Sequence, residues 1–381
     1  MRFGDLYEIP SRNGLTKPRA IRGEGIKFIN MGELFENDRI GDIEMDRAPV
    51  TEKEFVEALV EEGDLLFARQ SLVREGAGKC SIVTEVKEPT TFDSHLIRVR
   101  LKRELANPNF YRFYFSSHLS PIPGIVSQCA QAGIKGNDLK ELDVICPPIH
   151  QQDRIAEILS AYDELIENNR KQIKLLEEAA QRLYKEWFID FKFPGYETTP
   201  IDPETSLPEG WKRTTIGNEF SITTGKRDAN YGARDGLYPF FTCAREPIAA
   251  TNYSFDTEAI ILAGNGDLYS RLFRGKFEAY QRTYVIEPRE KSYLFIGGKR
   301  VENEIIQLKA KAAGSTIKYL TKGMIESIEI LLPSSAVLAK FNNMYEAIQS
   351  KMESLENSIS LTAEVRDRLL PKLMSGEIEV S

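Results

Sequence analysis

A stretch of this sequence recurs at a fixed offset of 186 positions, and this internal repeat constrains the fold more than any other feature. Residues 147–188 align without a gap with residues 333–374. The identical residues that meet include Pro147 and Pro333, Ile173 and Ile359, Glu178 and Glu364, Arg182 and Arg368, and Leu183 and Leu369. A sequence that repeats in this way is typical of a fold built from two similar units.

Both copies carry apolar residues at alternating steps of four and three, which is typical of a coiled-coil seam. Helices of roughly 37 residues would be about 55 Å long, and each is predicted to pair with the other copy in antiparallel orientation. The predicted seam consists of Ile155, Leu159, Tyr162, Ile166, Ile173, Leu176, Leu183 and Trp187, with Phe341, Tyr345, Ile348, Met352, Leu355, Ile359, Leu369 and Leu373. Polar residues interrupt the pattern at Asn169, Thr362 and Arg366 and are predicted to set the register. The alternative is that each helix packs only on its own domain.

The segments before each helix differ from the helices in composition, because they are rich in Gly, Pro, aromatic and β-branched residues. Strands are predicted at 63–69, 80–86, 95–101, 259–263 and 283–287. The predicted fold class is therefore α/β (α+β), with two similar globular domains and two long helices in a pseudo-twofold repeat. The predicted boundaries are 1–148 for the first domain, 149–191 for its helix, 192–207 for a proline-containing linker, 208–332 for the second domain and 333–381 for the distal helix and tail.

Net charge and residue composition exclude several classes of protein. The chain carries a net charge of −7, which argues against a strong nonspecific DNA binder. Residues 208–332 nevertheless hold 18 basic and 15 acidic side chains, and DNA binding requires only a local basic face. There is no apolar run long enough for a membrane span and no secretory signal, so a cytoplasmic protein is expected. The four cysteines lie too far apart for a zinc site.

Catalytic motifs are incomplete. The stretch Gly76–Ser81 resembles a phosphate-binding loop but lacks its first glycine and its Ser/Thr. Asn107-Pro-Asn-Phe110 is similar to an adenine methyltransferase motif, yet it is better explained as the start of a helix. The histidines (His95, His118 and His150) have no nucleophile partner in the sequence, and the carboxylates beside the seam (Asp163, Glu164 and Glu167) are predicted to be solvated.

Four stretches together resemble one known family. Residues 163–195 are similar to the central conserved region of specificity (S, or HsdS) subunits of type I restriction–modification systems. Residues 147–155 resemble the start of that helix, Leu207–Lys212 resembles the start of a target recognition domain, and Arg368–Ile378 resembles the terminal conserved region. The resemblance spans nearly the whole chain, although the first domain lacks the leading Pro-x-Gly-Trp.

The resemblance implies a DNA-binding, non-catalytic subunit that serves defence against foreign DNA. Each target recognition domain would read one half of a split, asymmetric DNA site, and the helices would set the unread spacer. The helices would also dock two modification methyltransferase subunits, which hold S-adenosylmethionine and carry out DNA methylation on adenine. Restriction translocase subunits, which use ATP and Mg, can join such a complex. The chain itself would hold no cofactor and no metal.

Base reading requires hydrogen-bonding side chains on loops that reach the major groove. The predicted DNA-binding residues of the first domain are Arg69, Gln70, Ser71, Arg74 and Lys79 in one loop and Arg12, Lys17 and Arg19, with Arg22, in an earlier one. Those of the second domain are Asn265, Tyr269, Arg271, Arg274 and Lys276, the early-loop residues Lys226, Arg227, Asn230 and Arg234, and Arg282. Two alternatives to a specificity subunit remain: a coiled-coil scaffold with two protein-binding domains, and a DNA methyltransferase.

Overall fold

The computed structural model describes residues 1–128, 132–233, 235–311 and 319–380. The chain forms two compact units, and the boundaries between them fall within its two longest helices. Unit 1 comprises Met1–Asn169 and Asn357–Ser381, and unit 2 comprises Arg170–Glu356. Each unit joins an α/β domain to one half of each long helix, which confirms the predicted fold class.

The domain of unit 1 is built mainly from short strands. They are β1 (Tyr7–Asn13), β2 (Ile26–Ile29), β3 (Arg39–Ile40), β4 (Asp46–Ala48), β5 (Leu65–Ala68), β6 (Gln70–Ser71), β7 (Cys80–Val83), β8 (Thr90–Phe92), β9 (Leu96–Leu101), β10 (Ser127–Gln128) and β11 (Ala132–Gly133). The helices are α1 (Met31–Glu36), α2 (Glu52–Glu57), α3 (Pro108–Ser116), α4 (Gly136–Lys140) and the long α5 (Ile149–Phe188).

The described residues of this domain form three sheets. The largest has the order β1-β9-β5-β7-β3, and the two smaller ones have the orders β4-β2-β8 and β10-β11-β6. Strand pairs are antiparallel except for β3 with β7 and β2 with β8. Aromatic rings fill the core beneath the large sheet, where Phe3 lies 4.8 Å from Phe115 and 5.7 Å from Tyr111 between ring centroids.

The helix α3 explains the motif that resembles a methyltransferase. The Asn107 side chain accepts hydrogen bonds from the backbone N–H groups of Asn109 and Phe110, at 2.9 and 3.2 Å. Pro108 occupies the first helical position, where its missing N–H costs nothing. The Asn107 amide also donates to Asp153 of α5 at 2.7 Å. The motif is therefore a helix cap, as expected.

The domain of unit 2 has longer strands. They are β12 (Lys212–Thr215), β13 (Phe220–Thr224), β14 (Tyr238–Phe241), β15 (Ile248–Ala250), β16 (Phe255–Ala263), β17 (Ser270–Ala279), β18 (Thr283–Pro288) and β19 (Glu329–Leu332). The helices are α6 (Ile216–Glu219), α7 (Leu294–Lys311), α8 (Lys322–Glu326) and the long α9 (Ser335–Ser375). The main sheet has the order β13-β18-β16-β17-β14-β15, and β12 pairs with β19.

The two domains share one strand arrangement. In unit 1, β9 lies between β1 and β5, and all three are antiparallel neighbours. In unit 2, β18 lies between β13 and β16 in the same way. The sequence repeat is thus accompanied by a repeated sheet topology, even though the two domains differ in length.

Within unit 1, the first half of α5 packs against the second half of α9. Ile155 and Leu159 share a buried core with Leu373 and Met374. Farther along, Asn169 is only 4% exposed and donates its side-chain amide to the Ser358 hydroxyl at 3.0 Å. A buried polar group that finds its partner in one alignment only favours that register over shifted ones.

A buried ion network lies on the same pair of helix halves. Asp163 is 5% exposed, and its carboxylate accepts hydrogen bonds from Arg366 of α9, at 2.6 Å, and from Arg112 of α3. The expectation that Asp163 is solvated is therefore wrong, because α3 covers this face of α5. Glu164 stays largely exposed, and Glu167 lies 2.9 Å from the Arg39 guanidinium.

The two arginines of this network differ in environment. Burial lowers the pKa of the Arg112 guanidinium, although Asp163 opposes the effect. For Arg366, burial also lowers the pKa, but hydrogen bonds to Asp163 and Asp367 outweigh it and leave that pKa raised. Asp163 thus provides the carboxylate that pairs with the buried Arg112 guanidinium.

Within unit 2, the second half of α5 packs against the first half of α9 through aromatic rings. Phe341 is fully buried, and its ring centroid lies 4.8 Å from Phe188 and 6.0 Å from Trp187. In both units the paired halves run in opposite directions.

All sixteen predicted seam residues are at least partly covered. The buried ones are Ile155, Leu159, Ile166, Leu183, Trp187, Phe341, Tyr345, Leu355 and Leu373, and the half-buried ones are Tyr162, Ile173, Leu176, Ile348, Met352, Ile359 and Leu369. Across the described segments, no helix is long and apolar enough to cross a membrane.

Candidate nucleic-acid interface

One turn has the same backbone hydrogen bond in both domains, and the predicted DNA-binding loops lie beside it. In unit 1, residues 93–95 precede β9, and the Leu96 N–H donates to the Asp93 carbonyl at 2.9 Å. In unit 2, residues 280–282 precede β18, and the Thr283 N–H donates to the Tyr280 carbonyl at 2.8 Å. His95 and Arg282 are therefore equivalent positions.

Glycines that meet these turns support the equivalence. Gly14 of unit 1 and Gly225 of unit 2 each donate a backbone hydrogen bond of 3.2 Å to the first residue of the strand that follows the turn. A Cβ atom at Gly14 would lie 2.4 Å from the Asp93 carbonyl oxygen, and one at Gly225 would lie 2.7 Å from that of Tyr280. Only glycine allows the early loop to approach the turn this closely.

The early loop of unit 1 and this turn enclose an open cleft. It has a volume of about 700 Å³, and the lining residues include Arg19, Arg22, Asn30, Asp93 and His95. Arg22 donates to Asn30 Oδ1 and to Asp93 Oδ2, the latter at 3.2 Å. Asp93 in turn accepts from the His95 ring, with 2.5 Å between Nδ1 and Oδ1. Asn30, Asp93 and His95 were not predicted as site residues.

The second loop of unit 1 is anchored to the same turn. The Arg69 N–H donates to the His95 carbonyl at 2.7 Å, and its guanidinium donates to the Ser94 carbonyl at 3.2 Å. Gln70 and Ser71 form β6 and pair with β11. Arg74 stands exposed beyond them. The structure therefore brings Arg19 and Arg22 of the early loop into the cleft and Arg69 to the turn that borders it.

Several predicted cations of unit 1 already have partners. Lys17 pairs with Glu54 at 2.9 Å, and Arg12 lies 3.4 Å from Glu57. The Lys79 ammonium binds the Phe35 carbonyl at 2.7 Å and Asp38 at 3.1 Å, so it is not free to hold a phosphate. Arg19 lines the cleft and remains exposed.

Some of the predicted DNA-binding residues of unit 2 also have partners within the protein. Arg274 binds Glu346 of α9 through two hydrogen bonds of 2.7 Å, which lower the pKa of the Glu346 carboxyl. Arg227 lies 3.3 Å from Glu278 and stacks over Tyr231 at 4.3 Å. Because both guanidinium groups are satisfied within the protein, their main role is to hold loops in place.

The remaining residues of unit 2 face solvent or contact aromatic rings. Arg271 lies over Phe241, and Lys276 lies 4.9 Å from the Tyr253 ring. The Tyr269 hydroxyl donates to the Ala244 carbonyl at 2.6 Å. Lys226, Asn230 and Arg282 are exposed and Asn265 is half-buried, while Arg234 lies outside the described residues.

Charge pairing separates cations held within the protein from those free to meet a ligand. Among the residues that the structure describes, no carboxylate oxygen lies within 4.0 Å of the charged groups of Arg19, Arg69, Arg74, Lys226, Arg271, Lys276 or Arg282. Both domains therefore present exposed positive charge near the equivalent turns. Within the described ranges, no cluster of three or more His, Cys, Asp or Glu side chains could hold a metal ion.

The long helices also expose apolar side chains away from the seam. In unit 1 these are Leu165 (44% exposed), Leu361 (63%) and Val365 (44%). In unit 2 they are Leu175 (63%) and Met344 (50%). Leu361 and Val365 are four residues apart and so lie on one face of α9.

Comparisons with known proteins agree with this architecture. Residues 1–178 match a family described as "Type I restriction modification DNA specificity domain". The chain is 26% identical over 360 residues to the type I restriction enzyme MjaIX specificity subunit of Methanocaldococcus jannaschii, covering 86% of this chain and 82% of that protein. It is 37% identical over 180 residues to the EcoDI specificity subunit of Escherichia coli, a match that spans 45% of this chain and only 39% of the relative.

A solved structure shows the same fold. The type I restriction–modification S subunit from M. genitalium superposes with a TM-score of 0.62 at 14% identity, covering 100% of this chain and 96% of that one. The resemblance to S subunits predicted from the sequence is thereby confirmed. The chain belongs to the family of type I restriction–modification specificity subunits, the non-catalytic DNA specificity components of these systems.

Proposed function

We propose that each domain reads one half of a split DNA target, and that the long helices set the unread spacer and dock methyltransferase subunits. The observation that carries this proposal is the strand arrangement that the two domains share. Both have the same hydrogen-bonded turn directly before an equivalent strand, but the loops around it carry different side chains. Two domains with the same strand arrangement but different loop side chains suit a DNA target whose two halves differ in sequence.

The exposed cations support DNA as the ligand despite the acidic net charge. Phosphate contacts require only a local basic surface, and both domains supply unpaired arginine or lysine side chains beside the equivalent turn. The predicted base-reading residues that bind carboxylates of the chain, such as Arg274 and Lys17, are better explained as supports for the loops. Arg19, Arg69 and Arg74 in the first domain and Lys226, Arg271 and Arg282 in the second remain the proposed DNA contacts.

The spacer proposal rests on helix length. The helices α5 and α9 contain 40 and 41 residues, so each is about 60 Å long at about 1.5 Å per residue. Helices of this length suit a spacer of more than one turn of DNA, since dimeric DNA readers place their two recognition elements about one turn, roughly 34 Å, apart.

Lengthening both helices by one heptad tests the spacer directly. Seven residues inserted after Asn169 and seven after Glu356 add about 10.5 Å to each helix, or about three base pairs at 3.4 Å each. We expect the methylated motif to keep both half-sites while its spacer grows by about three base pairs. The motif is measured by single-molecule methylation sequencing of cells that express the chain with a neighbouring methyltransferase.

The sequencing experiment has clear contrary outcomes. If the wild-type chain gives no split motif although its partners are expressed and active, the proposed function fails and the scaffold alternative gains support. If the insertion changes a half-site and leaves the spacer unchanged, the helices do not set the spacer. A control chain with seven residues inserted into the linker at 199–200, outside both helices, should leave the spacer as it is.

Methyltransferase docking is proposed to use the exposed apolar side chains of the helices. Replacing Leu361 and Val365 with Glu places two charges on one exposed face of α9. Because central interface residues contribute about 2 kcal/mol or more, we expect the affinity for the methyltransferase to fall at least about thirtyfold, as measured by titration of the purified subunits. Thermal unfolding should change little. Val56→Glu, at an 83% exposed site on α2, is the matched control, and equal binding by both variants contradicts this docking face.

A further inference from the structure

We propose that His95 and Arg282 are equivalent base-reading residues, and that Arg22 and Asp93 position the His95 ring. This inference rests on the proposed function and names residues that perform it. The two side chains occupy the same place in the two domains, directly before β9 and β18, and both are exposed. The sequence singled out Arg282 but left His95 without a role.

The backbone holds both residues in the same way. The His95 carbonyl accepts the Arg69 N–H at 2.7 Å, and the Arg282 carbonyl accepts the Gly264 N–H at 2.9 Å. The carbonyls of Arg69 and Gly264 accept in turn from Ile134 at 2.9 Å and from Leu320 at 2.7 Å. A turn fixed on both sides presents its side chain at a defined position, which direct readout of a base edge requires.

The His95 ring is held by a chain of hydrogen bonds that ends in a cation. Arg22 has only 15% of its side chain exposed and lies over the Phe28 ring at 4.6 Å. It donates to Asp93, whose side chain is 10% exposed, and Asp93 accepts from His95 Nδ1 and from the His95 backbone N–H at 2.8 Å. Asp93 therefore fixes the ring orientation and places the proton on Nδ1. The imidazole itself is half exposed to the cleft.

The two side chains offer different chemistry to DNA. With Nδ1 bound to Asp93, the His95 ring leaves Nε2 to hydrogen-bond a base edge in the major groove. The guanidinium of Arg282 is a donor only, and it matches O6 and N7 of guanine. The first half-site should therefore contain one base pair read by His95 Nε2, and the second a guanine read by Arg282.

Single substitutions test the two positions separately in the full chain with its methyltransferase. Loss of one base contact typically reduces discrimination about five- to 150-fold. We expect His95→Ala to relax one base pair of one half-site and Arg282→Ala to relax one base pair of the other, as read from the methylated motif. His118→Ala and Arg289→Ala, which remove exposed side chains elsewhere in the same domains, should leave the motif unchanged.

The positioning role of Asp93 has its own readout. We expect Asp93→Asn to relax the same base pair as His95→Ala, and the double variant to be no more relaxed than His95→Ala alone. A purely structural effect would instead weaken methylation at every site without changing the motif, and would contradict the role given to Asp93.

The outcomes separate the inference from the proposed function. A wild-type split motif that survives unchanged in both His95→Ala and Arg282→Ala overturns the inference and leaves the proposed function standing. Absence of any split motif with the wild-type chain overturns both. Relaxation at one position in each half, with the other positions retained, supports the assignment.

Discussion

Phe341→Ala is expected to destabilise unit 2 by about 3–5 kcal/mol, the usual cost of removing a fully buried aromatic side chain. Phe341 is 0% exposed and lies among the rings of Trp187, Phe188 and Tyr345, at centroid distances of 6.0, 4.8 and 5.6 Å. Truncation to alanine leaves a cavity bounded by large planar side chains that cannot close around it without leaving their rotamers.

Tryptophan fluorescence reports this change selectively. The chain has two tryptophans, and both belong to the core of unit 2. Urea titration followed by tryptophan emission should show a lower midpoint for Phe341→Ala. Met344→Ala, at a 50% exposed site one turn along α9, should stay within about 0.5 kcal/mol of the wild type. Equal midpoints for the two variants would show that the aromatic contact between the helices contributes little.

The second large effect is expected for Asp163→Ala, which leaves two arginines without their shared anion. Arg112 is 3% exposed and its guanidinium lies 3.6 Å from the Phe113 ring centroid, so water does not reach it readily. Removing one partner of a buried ion pair typically costs about 3–5 kcal/mol, because the remaining charge stays buried and unpaired. The stability of unit 1 should fall by this amount.

Two further variants distinguish charge from packing at this site. Glu164→Ala removes a neighbouring carboxylate that is 67% exposed and should change stability by less than about 0.5 kcal/mol. Replacing Arg112, Asp163 and Arg366 together with Met, Leu and Met should restore much of the stability lost in Asp163→Ala, because a well-packed apolar cluster can replace a buried ion network. Because the tryptophans lie in unit 2, the measurement is hydrogen exchange of amides in α3 and the first half of α5. Unchanged exchange in Asp163→Ala would refute the role of this network.

The helices show how far a repeating pattern can be interpreted. Their existence, length class and apolar seam follow from a period of 3.5 residues, since only one face of each helix carries large apolar side chains. The pattern could not assign partners to the residues that break it. Asn169 meets Ser358, and Arg366 meets Asp163, only because α5 and α9 align in one particular register and α3 closes over them.

Unlike the helices, the loops carry no sequence pattern that identifies which of their side chains are free to bind DNA. Residue type and loop context mark Arg282 and Arg274 alike as candidate DNA contacts. They do not reveal that Arg282 faces solvent whereas Arg274 binds Glu346. Glu346, which binds Arg274 through both carboxylate oxygens, lies 72 positions farther along the chain. His95 has no evident role in the sequence, because the role of a histidine depends on its neighbours. Asp93 reaches it through a hydrogen-bonded turn, and Arg22 reaches Asp93 from a loop distant in sequence. A comparison of the residue before β9 with the residue before β18 could have found it.

The sequence by itself determined that this protein has two related α/β domains and two long paired helices. Periodicity and internal repetition are properties of the linear order of residues and do not depend on which residues meet in the folded protein. Only the tertiary structure decided which arginine and lysine side chains are exposed and unpaired, and which are paired with carboxylates of the same chain. Ion pairs and hydrogen bonds form between residues far apart in sequence, and their strength depends on distance and burial that no local pattern contains. The same physical reason gave Asp163 a buried structural role and His95 a fixed ring beside an open cleft.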